Sequence, residues 1–269
     1  MKRHAESALP KAKKSLGQHF LVDQHYIARI VAAIRPEAAD HMVEIGPGPG
    51  ALTRPLLETL THLDVVEVDR EMVARLRAEF PVDRLSVHSV DALVYDFAGL
   101  GPGLRVVGNL PYNISSPLLF HLAASAESII DMTFMLQKEV VDRMAAAPDT
   151  PDYGRLSVML QSRFKVTKLF TVPPGAFQPP PKVDSAIVRL VPLALDRVPY
   201  KDARVFAEVV ARAFGQRRKT LRNTLKGWVD DALFVELGID PRRRGETLSV
   251  TEFAALSNRL EERPEAVAG

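Results

Sequence analysis

The chain contains no cysteine. That excludes disulfide frameworks, thiolate nucleophiles and cysteine-ligated zinc, and it suits a reducing compartment. No apolar run approaches the length of a membrane-spanning helix. Residues 1–15 are polar and basic and lack the apolar centre of a secretory signal. Cytoplasmic residence with no membrane partner is therefore the expectation. No internal repeat or low-complexity tract occurs. Net charge is also nearly absent: 35 Lys and Arg stand against 33 Asp and Glu, giving +2. Affinity for a polyanion must then come from where charges lie rather than from their total. No group of His, Asp and Glu has metal-ligand spacing, so no metal is expected.

What is present is an ordinary globular composition, 46% hydrophobic and 25% charged over 269 residues. That length suggests about two domains and a core that needs no staples. Residues 41–45, 63–68, 85–88, 104–108 and 132–136 read as short apolar strands. Residues 51–60, 70–80 and 117–124 between them have helical spacing. Such alternation predicts a mostly parallel sheet with helices on both faces. Residues 171–183 carry five prolines and can be neither helix nor central strand. Residues 184–191 return as a strand. Beyond them 202–214, 217–229, 232–237 and 251–260 read as short helices punctuated by glycine. The expected organisation is an α/β, Rossmann-like domain over residues 1–195, with 1–15 as a flexible tail, and a small all-helical domain over 196–269.

A strand running into Gly46, Gly48 and Gly50 and then a helix is a turn through which backbone passes close to a ligand. The helix start beyond it offers unpaired N–H groups. Glu67 ends the next strand, where an acid can hold both ribose hydroxyls of an adenosine cofactor. Asp91 follows the third strand and can accept from an adenine amino group, with the Ala92 N–H donating to the ring. As a bland alternative, Asp91 is a helix N-cap. Glu44-x-Gly46-x-Gly48-x-Gly50 is not the dinucleotide pattern G-x-G-x-x-G. It is the pattern of S-adenosylmethionine enzymes of the Rossmann-like class.

Asn109-Leu110-Pro111-Tyr112 follows the fourth strand. The amino nitrogen of adenine is a poor nucleophile because its lone pair is delocalised into the ring. Asn109 offers an amide oxygen to one N6 hydrogen, and the Leu110 carbonyl, in a turn shaped by Pro111, can accept the other. Tyr112 supplies a stacking ring, worth about 1–3 kcal/mol per base. Phe177, in the proline-rich loop, is either the second wall of a base clamp or a core anchor for that loop. From Arg212 to Lys226 there are six basic residues and no acid. On one helix, Arg218 or Lys219, Arg222 and Lys226 would stack on one face as a stripe suited to phosphates, with Arg217 beside it and Arg242, Arg243, Arg244, Lys11, Lys13 and Lys14 as its candidate extensions, the alternative being a solvated face.

Taken together with Gly17-Gln18-His19-Phe20-Leu21, residues 177–185 and Phe214-Gly215-Gln216-Arg217-Arg218-Lys219, these motifs closely resemble the ribosomal RNA dimethyladenosine transferases. The likeness runs from about residue 14 to about residue 260. It implies that S-adenosylmethionine is the cofactor. It further implies that two adjacent adenosines near the 3′ end of 16S rRNA, in a small-subunit precursor, each receive two N6-methyl groups. It implies that residues 17–21 close over the cofactor, with His19 and Leu21 near it; the family often has Asn where this chain has His19. A monomer is expected. Two rivals stay open: a large-subunit adenine methyltransferase of the antibiotic-resistance type, and an assembly factor whose methylation is secondary.

Overall fold

The computed structural model describes residues 9–111, 114–194 and 199–262. Tyr112, expected as the stacking ring, lies outside the described residues, as do the first eight residues of the expected flexible tail. The described residues within Met1–Lys138 and Lys168–Leu190 form one compact unit, and those within Glu139–Thr167 and Val191–Gly269 form another. The division expected at residue 195 falls near the last of these crossings. The placement of 139–167 with the C-terminal helices was not foreseen.

The sheet of the first unit is built on strands that are mostly buried, the exception being its edge strand at residues 85–88, where only Leu85 is buried. They are β2 (His41–Ile45), β3 (Leu63–Val66), β4 (Leu85–His88), β5 (Leu104–Asn109) and β6 (Ile129–Gln137). Two short elements precede them, β1 (Phe20–Leu21) and helix α1 (Gln24–Ile34). Val43, Ile45, Val65, Val66, Val106 and Val107 are all buried, the near-continuous apolar character of strands covered on both faces. Later strands are β7 (Phe164–Val172), β8 (Phe177–Gln178) and β9 (Ser185–Pro192), and the main sheet runs β4-β3-β2-β5-β6-β9-β7. From β4 to β6 all pairs are parallel, while β9 runs antiparallel to β6. The chain reverses direction across the sheet between β2 and β5. In open α/β sheets the crevice at such a switch point, at the carboxyl ends of the strands, is where ligands bind. The glycine turn after β2 and Asn109 at the end of β5 are thereby made neighbours. Gly108 lets them approach: a Cβ there would lie 2.4 Å from the Ile45 carbonyl oxygen.

The expected helices are found with two differences in extent, and three helices were not expected, at residues 24–34, 138–145 and 155–161. Helix α1 was not anticipated, although Ile27, Ile30 and Ile34 form its buried stripe and Asp23 caps it by accepting from the His25 and Tyr26 N–H groups. Helix α2 spans only Thr53–Leu57, shorter than the expected 51–60; its start is delayed because Pro55 has no N–H to give to Ala51. Helices α3 (Arg70–Glu79) and α4 (Ser115–Ala124) match their patterns.

The second unit holds most of α5 (Lys138–Ala145), together with α6 (Arg155–Gln161), α7 (Ala203–Gly215), α8 (Leu221–Thr224), α9 (Asp231–Glu236) and α10 (Val250–Glu261). Phe206, Val209, Leu221, Phe234, Phe253 and Leu256 share its core, and the buried Tyr153 hydroxyl donates to the Leu248 carbonyl at 2.8 Å. The second difference in extent lies here. Residues 217–229 do not form one helix: α7 ends at Gly215, Gln216 leaves helical geometry, and extended Thr220 starts the short α8.

Candidate active site

The carboxyl ends of β2, β3, β4 and β5 surround a cavity of about 200 Å³. The glycine turn forms its floor. Gly46 and Gly48 adopt φ of +66° and +53°, conformations that L side chains rarely adopt. The Gly46 N–H donates to the Val66 carbonyl at 2.9 Å, tying the turn to β3. Glu67, Asp91, Ala92, Asn109, Leu110 and Pro111 line the cavity with these glycines, and residues 15–21, His19 and Leu21 among them, complete it. Gly50 does not line it. With φ of +87°, Gly50 packs a helical turn away beside Arg54.

Glu67 is buried, 6% exposed. Its carboxylate accepts from the Gly48 N–H at 3.2 Å and the Asp69 N–H at 2.8 Å. Burial holds its pKa above the usual carboxylate range despite those donors. Asp91 accepts from the Leu93 N–H at 2.9 Å, so it does cap a turn while also lining the cavity. Beneath the turn lies Glu44, which was not singled out from the sequence. It is 1% exposed and accepts from the Thr53 hydroxyl at 2.6 Å. Burial pushes it up to about 7, with the nearby Glu67 charge adding to the effect. The signal was in the glycine pattern, whose leading acid sits on a strand otherwise wholly apolar at its buried positions.

Asn109 ends β5 with its side-chain amide nitrogen donating to the His19 carbonyl at 3.1 Å. The Leu110 N–H donates to the Met135 carbonyl at 3.2 Å, which fixes the peptide leading into Pro111. Phe177 behaves differently from these cavity residues. It is buried in the core with Leu21, Val172 and Ala176, and its backbone pairs with Leu21 in the two-residue ladder of β1 and β8. It is not among the residues that line the cavity.

The basic residues of the second unit stand apart from this chemistry. Arg217 donates to the Pro151 carbonyl at 2.9 Å, and Arg222 pairs with Asp231 at 3.0 Å. Arg218, Lys219 and Lys226 are exposed and make no ion pair among the described residues. With the helix broken at Gln216–Thr220, they do not form the single stripe that continuous helical spacing implied.

The donor set suits an adenosine-bearing cation. Paired carboxylate oxygens at Glu67 and a second acid at Asp91 face one cavity, and the glycine turn leaves space where any side chain would intrude. No group of His, Asp or Glu among the described residues could hold a metal ion.

The model of the ribosomal RNA adenine dimethylase family matches residues 9–262. The chain is 59% identical over 248 residues to a ribosomal RNA small subunit methyltransferase A of Aromatoleum aromaticum, covering 92% of this chain and 94% of that one. It is 59% identical to the protein of the same description from Laribacter hongkongensis, over 92% and 95% of the two chains. Among solved structures, a dimethyladenosine transferase from Plasmodium falciparum superposes with a TM-score of 0.78 at 26% identity, covering 93% of this chain and 98% of that one. The 23S rRNA methyltransferase ErmE superposes with a TM-score of 0.68 at 26% identity, covering 90% and 99%.

Proposed function

The chain belongs to the ribosomal RNA adenine dimethylase family, and we propose that it transfers methyl groups from S-adenosylmethionine to the N6 atoms of two adjacent adenosines in the 3′-terminal hairpin of 16S rRNA. The substrate in this reading is a small-subunit precursor, met in the cytoplasm by a monomer. No helix among the described residues is long and apolar enough to cross a membrane. The observation that carries the reading is the meeting, in one cavity at the β2–β5 switch, of the glycine turn, Glu67 and Asp91 with Asn109, Leu110 and Pro111.

Glu67 holds the ribose hydroxyls, Asp91 and the Ala92 N–H hold the adenine, and Gly46 and Gly48 give the backbone its close approach. The cofactor, when bound, supplies an activated methyl group on a sulfonium. The chain's own part is at the acceptor amine. The Asn109 nitrogen is committed to the His19 carbonyl, so its oxygen is the atom left to accept one N6 hydrogen. The Leu110 carbonyl accepts the other. Two acceptors draw the amine toward tetrahedral geometry and aim its lone pair. As the nitrogen gains the methyl group it becomes strongly acidic and its proton leaves to water, so no general base is required. Holding the two reactants in line can supply about 7–11 kcal/mol of the acceleration.

Tyr112 is the stacking ring in this reading. Phe177, whose backbone pairs with Leu21 in the β1–β8 ladder that seats residues 17–21, is in this reading the second wall of the base clamp. The exposed Arg218, Lys219 and Lys226, with Arg217 and Arg222 beside them, make the second unit the RNA-docking domain. Relatives 52% to 59% identical are described as small-subunit enzymes, whereas the large-subunit enzyme ErmE is 26% identical. This favours the small-subunit reading over its rival.

The test is methyl transfer from labelled S-adenosylmethionine to small subunits that lack the modification, followed by nucleoside analysis. Label recovered as N6-dimethyladenosine from the 3′-terminal hairpin is the expected result. Label only on isolated large subunits would transfer the assignment to the rival.

A further inference from the structure

One wall of the cavity, residues 15–21, is tied down at three separate places. At its far end, the β1–β8 ladder pairs Phe20 with Gln178 and Leu21 with Phe177. In its middle, the His19 carbonyl accepts from Asn109 at 3.1 Å, while the His19 ring meets the Pro179 carbonyl at 2.8 Å. At its near end it closes on Asp69. The Lys13 ammonium donates to Asp69 Oδ1 at 2.6 Å and the Gln18 amide donates to Oδ2 at 2.9 Å. The Gln18 side-chain oxygen, Oε1, in turn accepts from the Lys13 backbone N–H at 2.8 Å. The result is a closed ring of hydrogen bonds around the turn at Gly17.

Asp69 is a costly place to end such a ring by accident. Its side chain is fully buried, and a buried carboxylate needs compensating donors. Besides Lys13 and Gln18, it accepts from the Glu71 N–H at 3.0 Å as the cap of α3. Its own N–H donates at 2.8 Å to Glu67, the residue assigned to the ribose. A single residue thus contacts both the wall that covers the cavity and the acid that reads the cofactor. Phe20 adds a packing link, since a Cβ on Gly48 would come within 3.5 Å of its ring.

We infer that Lys13, Gln18 and Asp69 form a latch whose closure holds residues 15–21 against the bound cofactor and, through the His19 carbonyl, keeps the Asn109 amide turned with its oxygen toward the adenine. Lys13 and Gln18 are positioning residues: neither touches a reacting atom. Cofactor entry and release require the ring at Asp69 to open, and opening it also frees the amide of Asn109 to turn. The second half of this inference rests on the role given to Asn109 above; the first half does not.

The experiment uses the full chain, with labelled S-adenosylmethionine as the ligand and unmodified small subunits as the acceptor. Equilibrium binding, the cofactor dissociation rate and the single-turnover transfer rate at saturating cofactor are measured for Lys13→Met, Gln18→Ala and Lys13→Arg. Lys13→Met and Gln18→Ala should each raise the dissociation rate and Kd about tenfold, the equivalent of one charge-assisted hydrogen bond. Both should also slow transfer when cofactor is saturating, a change that a merely structural role would not produce. Lys13→Arg should restore both quantities. The Lys13 side chain is 42% exposed, so Lys13→Met tests the latch on a folded chain even if Gln18→Ala lowers the thermal midpoint. Dissociation and transfer rates equal to the parent's in both loosened variants would overturn the latch. Asn109→Ala run alongside separates the two claims. If it transfers methyl normally while Lys13→Met still releases cofactor quickly, the acceptor reading fails and the latch on the cofactor stands.

Discussion

The side-chain nitrogen of Asn109 donates to the main-chain carbonyl of His19, 3.1 Å away and ninety positions earlier in the chain. A carbonyl oxygen can only accept, so the contact settles which end of the amide faces the cavity. An acid at this position would set oxygen against oxygen. Asn109→Asp is therefore expected to weaken cofactor binding as well as transfer, by pushing residues 17–21 off the site. Asn109→Ala, which loses the bond to His19 without opposing it, should weaken binding less than Asn109→Asp and lower single-turnover methylation at saturating cofactor by on the order of 10²-fold or more. Cofactor titration and single-turnover kinetics on both variants check the contrast.

Glu67 receives two backbone N–H groups inside the protein. Glu67→Gln would present an amide to those donors and could satisfy only one of them. A cofactor Kd about 10- to 100-fold weaker is expected, measured calorimetrically. Burial raises the Glu67 pKa, and its acceptor role for two hydroxyls is strongest in the ionised form. Cofactor affinity should therefore fall as pH drops through that raised value, at a pH above that at which an exposed glutamate titrates.

Arg218, Lys219 and Lys226 are exposed and make no ion pair among the described residues, whereas Arg222 already has Asp231. Replacing any one of the first three with Ala should weaken RNA binding across sequences and reduce the slope of log K against log salt by about one. Arg222→Ala should do less, because Asp231 already offsets its charge. Filter binding at several salt concentrations reads both effects.

Arg105 bridges Asp40 at 2.5 Å and Asp131 at 2.9 Å at the start of β5, with its side chain 12% exposed. It also donates to the Ile34 carbonyl at 2.7 Å, joining the end of α1 to the sheet. Arg105→Ala leaves Asp40 without its cation and Asp131 with only Arg189, 3.7 Å away, and should cost about 3 kcal/mol of unfolding free energy in a denaturant titration.

Much of the site was legible because parallel strands place their carboxyl ends in one crevice. Once residues 41–45 and 104–108 read as strands, the glycine turn and Asn109 had to sit near that rim, and Glu67 and Asp91 followed from the next two. Contacts made at long range were not legible. Nothing local ties Lys13 to Asp69 or Asn109 to His19. The buried stripe Ile27, Ile30, Ile34 was written in helical spacing and shows that α1 was readable. The basic run misled because charge spacing carries no information about Gln216 and Thr220, whose backbones leave helical geometry. Phe177 was balanced between clamp and anchor, and composition cannot separate the two, since a ring in a proline-rich loop suits either. It is buried with Leu21 and Val172, a burial that either role allows.

Glu44 gives the protein a pH dependence of stability with a defined sign. Burial lifts its pKa to about 7, helped by Glu67, against the Thr53 hydroxyl and Arg54, which pull it down. Below the ordinary glutamate pKa the residue is protonated in both folded and unfolded chains and contributes nothing. Between that value and about 7 the unfolded chain loses the proton and the folded chain keeps it. The folded state then binds more protons, so stability falls as pH rises through this window. Above it both forms are ionised and the loss levels off, at about 3 kcal/mol for a shift of this size. Glu44→Gln has no carboxyl to titrate and keeps an acceptor oxygen for Thr53. Relative to the parent it should gain stability steadily from pH 5 to pH 7.5, with the difference flat below and above. Urea titrations of both proteins across that range measure it, and a difference independent of pH would show that Glu44 is already ionised in the folded chain.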